Sequence, residues 1–411
     1  MEQMRTQGAS GAPSPGAALM VVLLATMGIG PLLSYGLSAT SDLLIEQMGI
    51  TAARFGLLIT VLFLSATAAS MVLGRLADVL SVRAQLVFNF GGTALALLIA
   101  SIGPEYWILM VAMLVVGPAQ VIANPTTNRV IYHSVPVAKR PGWIGVKQSG
   151  VQVSQLAAGL LFPPAVLLVG WPGAAIGGAV VVLLLLWWSL RHIPEEPPTD
   201  WARLGTAIRQ GLRTRRHGEP LPLAVWLFTA VAFFSGVGAQ AMNVYMPLFA
   251  VRELNYSLIV GGLAAGLSGV IGVISRVGWG RLLGRGISPG SILTMIAAGA
   301  LLGMVCMVAA SMTGIVAFFW IGVAMHGITV LGTNVVVNAG TMRVVGARQI
   351  GSASGTTTMG LYAGFAAGPF GMGLVVELTD GFSVGWGLVG MVYVILLALA
   401  LLTLRLGKRR A

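Results

Sequence analysis

Charge is what this 411-residue sequence has least of: 9% of its residues are Asp, Glu, Lys or Arg, against 56% hydrophobic. A water-exposed domain carries about 25% charged residues. A chain this poor in charge cannot cover itself with water-facing groups, so most of its surface must face lipid. Cysteine is nearly absent. The single Cys306 excludes an internal disulfide and lies in an apolar run, as a buried bystander. The motifs of catalysis are missing too. There is no P-loop, which removes ATP as a direct energy source, and no HExxH or CxxC. The GxGxxG-like patches fall inside apolar runs rather than after strands. Neither an enzyme nor a cofactor or metal is expected.

What the chain has instead is long apolar runs. A membrane-crossing helix needs about 20 such residues, and irregular backbone exposed to lipid is forbidden, so the runs are helices. They predict spans over 17–40, 53–74, 84–103, 106–133, 142–168, 171–190, 222–250, 257–280, 289–311, 314–341, 350–375 and 384–405. The fold class is therefore all-α, with twelve transmembrane helices. The division is a polar tail (1–16), a six-helix half (17–190), a basic linker (191–221), a second six-helix half (222–405) and a short tail (406–411). The first run is too long for a signal-peptide core and lacks a cleavage site. The 56 glycines fit close helix–helix contacts.

The net charge of +12 is explained by position. If span 1 starts inside, 18 of the 24 basic residues lie in inner segments, Arg252 alone in an outer one, and Arg54, Arg129, Lys147, Arg276 and Arg405 within spans. The positive-inside rule then puts both termini in the cytoplasm of a cell with an inner membrane. The basic residues meet the anionic leaflet, with Trp201–Arg216 as an amphipathic helix on it or a plain connector. Nucleic acid is not an expected partner.

The two halves resemble each other. Gly74-Arg75-Leu76-Ala77-Asp78 follows span 2, and Gly280-Arg281-Leu282-Leu283-Gly284-Arg285 follows span 8, the glycines 206 positions apart. Gly150 and Gly159 of span 5 are matched by Gly355 and Gly364 of span 11, each 205 positions on. Duplication places a binding site between two halves that rock about it.

With these motifs the sequence resembles the major facilitator superfamily, over nearly its whole length. Gly74, Asp78 and Arg83 resemble the signature between that family's helices 2 and 3. Val79 and Ser81 depart from it, and Gly284 replaces the Asp in the second copy, where Arg285 is kept. The resemblance implies two six-helix bundles, alternating access and a gating role for Gly74, Asp78, Arg83 and Arg285; a functional monomer is expected, though membership of the family does not decide it. Asp78 has a second reading as a helix cap. Gly150, Gly159 and Pro163 resemble a pattern found in proton-exchanging exporters, with Phe162 in place of a Gly; ordinary helix packing explains them equally. In the resembled family helices 1, 4, 7 and 10 line the cavity, with parts of 5 and 11.

Polar residues inside spans are costly and therefore candidates. At 100° per residue Lys147, Gln148, Gln152 and Gln155 form one arc of span 5, and Gln120, Asn124 and Asn128 one stripe of span 4. Span 7 carries Gln240 and Asn243, span 10 His326, and span 1 Tyr35. These are the candidate substrate-binding residues. Lys147 either faces the cavity or snorkels to the surface, and the amides either bind solute or glue helices. Arg129 and Arg276, nearer the inner ends, are candidate gate residues. The central parts of the spans hold no Asp or Glu, so a buried cation there needs an anion from elsewhere. A small organic anion such as a monocarboxylate is the expected cargo, with a proton carried by His326 or by the cargo's own charge. The alternatives are a proton-coupled drug or metabolite exporter and a transporter-like sensor or assembly protein.

Overall fold

A computed structural model describes residues 16–136, 139–193, 199, 205, 220–346 and 349–408, and for residues 71, 75, 78, 141, 351, 407 and 408 the backbone alone. The N-terminal tail, most of the basic linker including nearly all of Trp201–Arg216, Arg348 and the last three residues lie outside this range. Among the described residues there is helix and no strand, as expected where every backbone N–H and C=O must be paired within the chain.

Twelve spans follow one another. Span 1 is Ala17–Ile29 with Leu32–Ala39, followed by a short helix Ser41–Met48. Spans 2 and 3 are Ala52–Val79 and Val82–Ala100, and span 4 is Tyr106–Val121 with Ala123–Ser134. Span 5 is Arg140–Gln148 with the first part of the helical run Gly150–His192, and span 6 is the rest of that run. Spans 7, 8 and 9 are Leu223–Arg252, Leu258–Gly284 and Pro289–Thr313. Span 10 is Val316–Ile328, a tight turn Val330–Gly332 and Thr333–Arg343; spans 11 and 12 are Ile350–Thr379 and Ser383–Lys408. The run Gly150–His192 has 43 residues, about 65 Å if straight, twice what a bilayer needs. It folds back at Gly170, where φ is 70° and ψ 171°, a backbone state open to glycine. A Cβ on Gly178 would lie 3.7 Å from the Phe162 ring sixteen residues earlier, and the Trp171 indole donates to the Ala100 carbonyl at 2.9 Å.

Four spans expected as continuous are broken. Span 1 bends by 56° at Gly30–Pro31. Span 4 is interrupted at Ile122, where the Pro125 ring disfavours the α-helical bond to the carbonyl four residues back. Span 5 is interrupted at Ser149 and span 10 at Thr329, whose ψ is −76°. The signature after span 2 is also relocated. Gly74 and Asp78 belong to the last two turns of Ala52–Val79 rather than to a loop, and Gly280 to the end of Leu258–Gly284. Span 3 is capped by Ser81, whose hydroxyl accepts from the Ala84 N–H at 3.3 Å.

The two sets of six spans meet along two seams, span 2 against span 11 and span 5 against span 8. Within the second set, span 11 brings Gly360, Gly364 and Gly368 onto the carbonyls of Thr229, Phe233 and Val237 in span 7; a Cβ at any of the three would collide. Large apolar side chains ring the outside, among them Leu168 (83% exposed) and Ile274 (67%). Only lipid satisfies such a surface, so the chain is a multi-pass membrane protein.

Candidate functional site

Most of the candidate polar side chains inside the bundle fall into three groups, and the helix breaks decide which belongs to which. The first surrounds Lys147, which is fully buried. Its ammonium donates to Thr127 Oγ1 at 2.7 Å, Asn128 Oδ1 at 2.7 Å and Asn124 Oδ1 at 3.3 Å. Asn124 Oδ1 also accepts from Gln148 Nε2 at 3.0 Å. Three N–H donors therefore meet three neutral oxygens of span 4, and the side chain does not snorkel. Thr127 is a ligand that the sequence did not advertise, because a threonine in an apolar helix ordinarily bonds its own turn; here it also donates to the Ala123 carbonyl.

The second group lies on the far side of the Ser149 break, so the arc read from span 5 is two arcs. Gln155 Nε2 donates to Asn243 Oδ1 at 3.2 Å, Asn243 Nδ2 donates to Gln240 Oε1 at 3.2 Å, and His326 Nε2 pairs with the same Asn243 oxygen at 3.0 Å. An oxygen partner assigns the proton to Nε2 and makes Nδ1 the acceptor. That Nδ1 is buried and, among the described residues, makes no hydrogen bond; the same holds for Gln152 Oε1, Gln155 Oε1 and Gln120 Nε2. Gln152 joins neither group and packs toward Gly272 of span 8. Tyr35 is half-buried and, among the described residues, makes no hydrogen bond to either.

The third group is Arg276. From span 8 its Nη1 donates to the Gln148 carbonyl at 2.6 Å and its Nε to the Leu331 carbonyl at 2.9 Å. Both acceptors sit at helix breaks. After Ser149 the Gln152 N–H turns to the Ser149 carbonyl at 3.0 Å, releasing the Gln148 carbonyl from the helix ladder.

Of the other candidate gate residues, Arg129 donates to the Ala77 and Leu80 carbonyls at 3.1 and 2.9 Å, binding the end of span 2 to span 4. Gly74, Arg83 and Arg285 are exposed, and the Asp78 side chain lies outside the described residues. The described carboxylates Asp42, Glu46, Glu105, Glu253, Glu377 and Asp380 all sit at or beyond span ends. Among the described residues Asp42 and Arg252 form the one ion pair, at 2.7 Å, and it joins the two sets of spans. Glu253 accepts from the Phe382 N–H at 2.7 Å and from the Ser311 hydroxyl.

Seam 2·11 is closed at this same end. Thr60 donates to the Ala366 carbonyl at 2.5 Å and Phe63 meets Phe365 with the rings tilted by 55° and their centroids 5.0 Å apart, while beside them Tyr245 of span 7 donates to the Ala52 carbonyl at 2.7 Å. Toward the end that carries both termini the seam parts, and a Cβ on Gly74 or Gly355 would meet nothing within 4 Å. The polar groups thus lie between two halves shut at one end and spread along one seam at the other.

No curated protein matches the sequence. Among solved structures, a crystal structure of the nucleoside transporter NupG matches with TM-score 0.71 at 15% identity, over 94% of this chain and 99% of that one. A bacterial homologue of the human lysosomal transporter Spinster, inward-facing and occupied, matches with TM-score 0.73 at 14% identity, over 96% and 98%. At such identities the likeness is one of fold. The family model of the Major Facilitator Superfamily matches residues 16–369, and with twelve spans, two seams and a polar interior between them, the chain belongs to that superfamily of secondary transporters.

Proposed function

We propose that this transporter carries a small organic anion, such as a monocarboxylate, across the cytoplasmic membrane by rocking its halves 17–190 and 222–405 about the polar interior. One observation carries the reading: Lys147 is wholly buried with three neutral oxygens around it and, among the described residues, no carboxylate inside the spans. A desolvated cation without a counter-charge is poorly stabilised, and a carboxylate cargo supplies the missing charge. Asn124, Asn128 and Gln148 hold the ammonium in place. Gln240, Asn243 and His326, with Gln152 and Tyr35 at the margin, give the cargo's neutral part hydrogen-bonding partners. A proton travels with the cargo, either on His326 or as the cargo's own. The protein works as a monomer with both termini in the cytoplasm, so the end closed by Asp42 and Arg252 faces outward. Gly74, Asp78, Arg83, Arg129 and Arg285 act at the inner gate.

A neutral, hydroxyl-rich solute is the second reading, favoured by the buried open acceptors Gln152 Oε1, Gln155 Oε1 and His326 Nδ1. The exporter alternative rests on Gly150, Gly159 and Pro163, and packing already accounts for the two glycines: Gly150 abuts the Leu24 carbonyl of span 1 and Gly159 the Gly262 carbonyl of span 8. A sensor would show binding without flux.

The test is a thermal-shift screen of the purified protein and Lys147→Ala with lactate, pyruvate, benzoate, uridine, glucose and tetraphenylphosphonium. A ligand at 100 times its Kd stabilises by about 2.7 kcal/mol. Carboxylates are expected to raise the melting temperature of the parent and not of Lys147→Ala. A shift by uridine or glucose alone selects the second reading, and a shift by the lipophilic cation alone selects export. Flux into vesicles then separates a transporter from a sensor.

A further inference from the structure

Arg276 is the one described cation that ties the two halves together inside the membrane. It belongs to span 8, and it holds the Gln148 carbonyl of span 5 in the other half at 2.6 Å and the Leu331 carbonyl of span 10 in its own at 2.9 Å. Both carbonyls exist as free acceptors because their helices break there. Neither carries a formal charge, so the guanidinium has dipoles where its fork matches a carboxylate. Gln148 adds a link. Its carbonyl accepts from Arg276 while its side chain donates to Asn124 Oδ1, which also accepts from Lys147. The buried Lys147 and the partly buried Arg276 are thus joined through one residue at a helix break.

We propose that Arg276 is both the latch of seam 5·8 and the second anion-binding residue: the cargo's carboxylate takes the guanidinium from the two carbonyls, so that binding and unlatching are one event. The anion part rests on the function proposed above; the latch part does not. Exchange is favourable because a bidentate pair of opposite charges is stronger than two separate bonds from the guanidinium to neutral carbonyls. A released Gln148 carbonyl leaves the short segment Arg140–Gln148 free to move against span 8. Substrate affinity and gate position are then linked, as any coupling between a site and a conformational equilibrium requires.

The experiment uses the full chain with Cys306→Ala and a single reporter, Ser149→Cys, at the break; Ser149 is 5% exposed. Maleimide labelling and lactate, pyruvate and benzoate thermal shifts are measured with Arg276, Arg276→Lys and Arg276→Gln. With Arg276 present, labelling is expected to be slow and to speed up when the carboxylate is added. Arg276→Gln is expected to label fast regardless of carboxylate and to bind it about 10- to 100-fold more weakly. Arg276→Lys keeps the charge without the fork. It is expected to bind the carboxylate with intermediate affinity and to label fast, and it serves if Arg276→Gln does not fold. Carboxylate shifts of equal size in parent and variants overturn the assignment to Arg276 and leave the anion reading standing. Slow labelling in both variants overturns the latch. If no carboxylate shifts the parent, the anion reading fails and the exchange fails with it.

Discussion

Seams 2·11 and 5·8 are built from corresponding spans of the two halves, and both bring glycine onto backbone, but they differ in how far the contact runs and in what fastens it. Seam 2·11 sets Gly56 against the Pro369 carbonyl and Gly373 against the Ala52 carbonyl at one end, beside the Thr60 hydroxyl on the Ala366 carbonyl and Phe63 against Phe365, with Tyr245 of span 7 donating to the Ala52 carbonyl. It then parts, leaving Gly74 and Gly355 without neighbours. Seam 5·8 is closed by backbone: Gly159 and Gly262 put each other's carbonyl where a Cβ would go, Gly269 meets the Gln152 carbonyl, and Arg276 fastens the far end. One seam is thus held at one end only, while the close contacts of the other run on from Gly159 to the bond between Arg276 and the Gln148 carbonyl.

The comparison breaks most severely at glycine. Gly159→Val drives a branched side chain into the Gly262 backbone, which has no flexible atoms to yield. The cost is about 1–3 kcal/mol or more, read as a fall in melting temperature in detergent, while Gly74→Val at the open part of the other seam leaves the melting temperature nearly unchanged. Tyr245→Phe removes a buried donor to the Ala52 carbonyl, which keeps its own helix bond. A loss of about 1 kcal/mol is expected, together with faster labelling of a thiol introduced at Ala53. Thr60→Val keeps the shape and removes the bond to Ala366, for about 0.5–1.5 kcal/mol. The smallest effect belongs to Asp42→Asn. The pair with Arg252 is partly exposed, so about 0–1 kcal/mol is expected, and raising the salt should erase the difference from the parent. A large, salt-independent loss at Asp42 would mean that charge rather than backbone packing holds the closed end.

The positions of the spans were legible because hydropathy needs no partner: a run of apolar residues must be helical in lipid wherever it sits. The paired Gly74/Gly280 and Gly159/Gly364 offsets likewise exposed the duplication. The site was legible only in residue type. Lys147, Asn124, Asn128 and Gln148 do gather, and so do Gln240, Asn243 and His326. The faces drawn for spans 4 and 5 assumed an unbroken 100° step, and breaks at Ile122 and Ser149 reset the phase. Gln120 is thereby separated from Asn124, and Lys147 from Gln155. Asp42 and Arg252, which no sequence pattern pairs, become partners across the two halves.

By itself, then, the sequence determined the solvent, the number of spans, the duplication and the scarcity of negative charge in the interior. These depend on composition and local periodicity, which every short window of the chain carries. Tertiary structure alone puts Lys147 on Thr127, carries Arg276 from one half to the other, and sets Thr60 on the Ala366 carbonyl across seam 2·11. Such partners lie from 20 to 306 positions apart along the chain, and a hydrogen bond has direction and a reach of about 3 Å. Their pairing follows from where broken helices point, which no local pattern records.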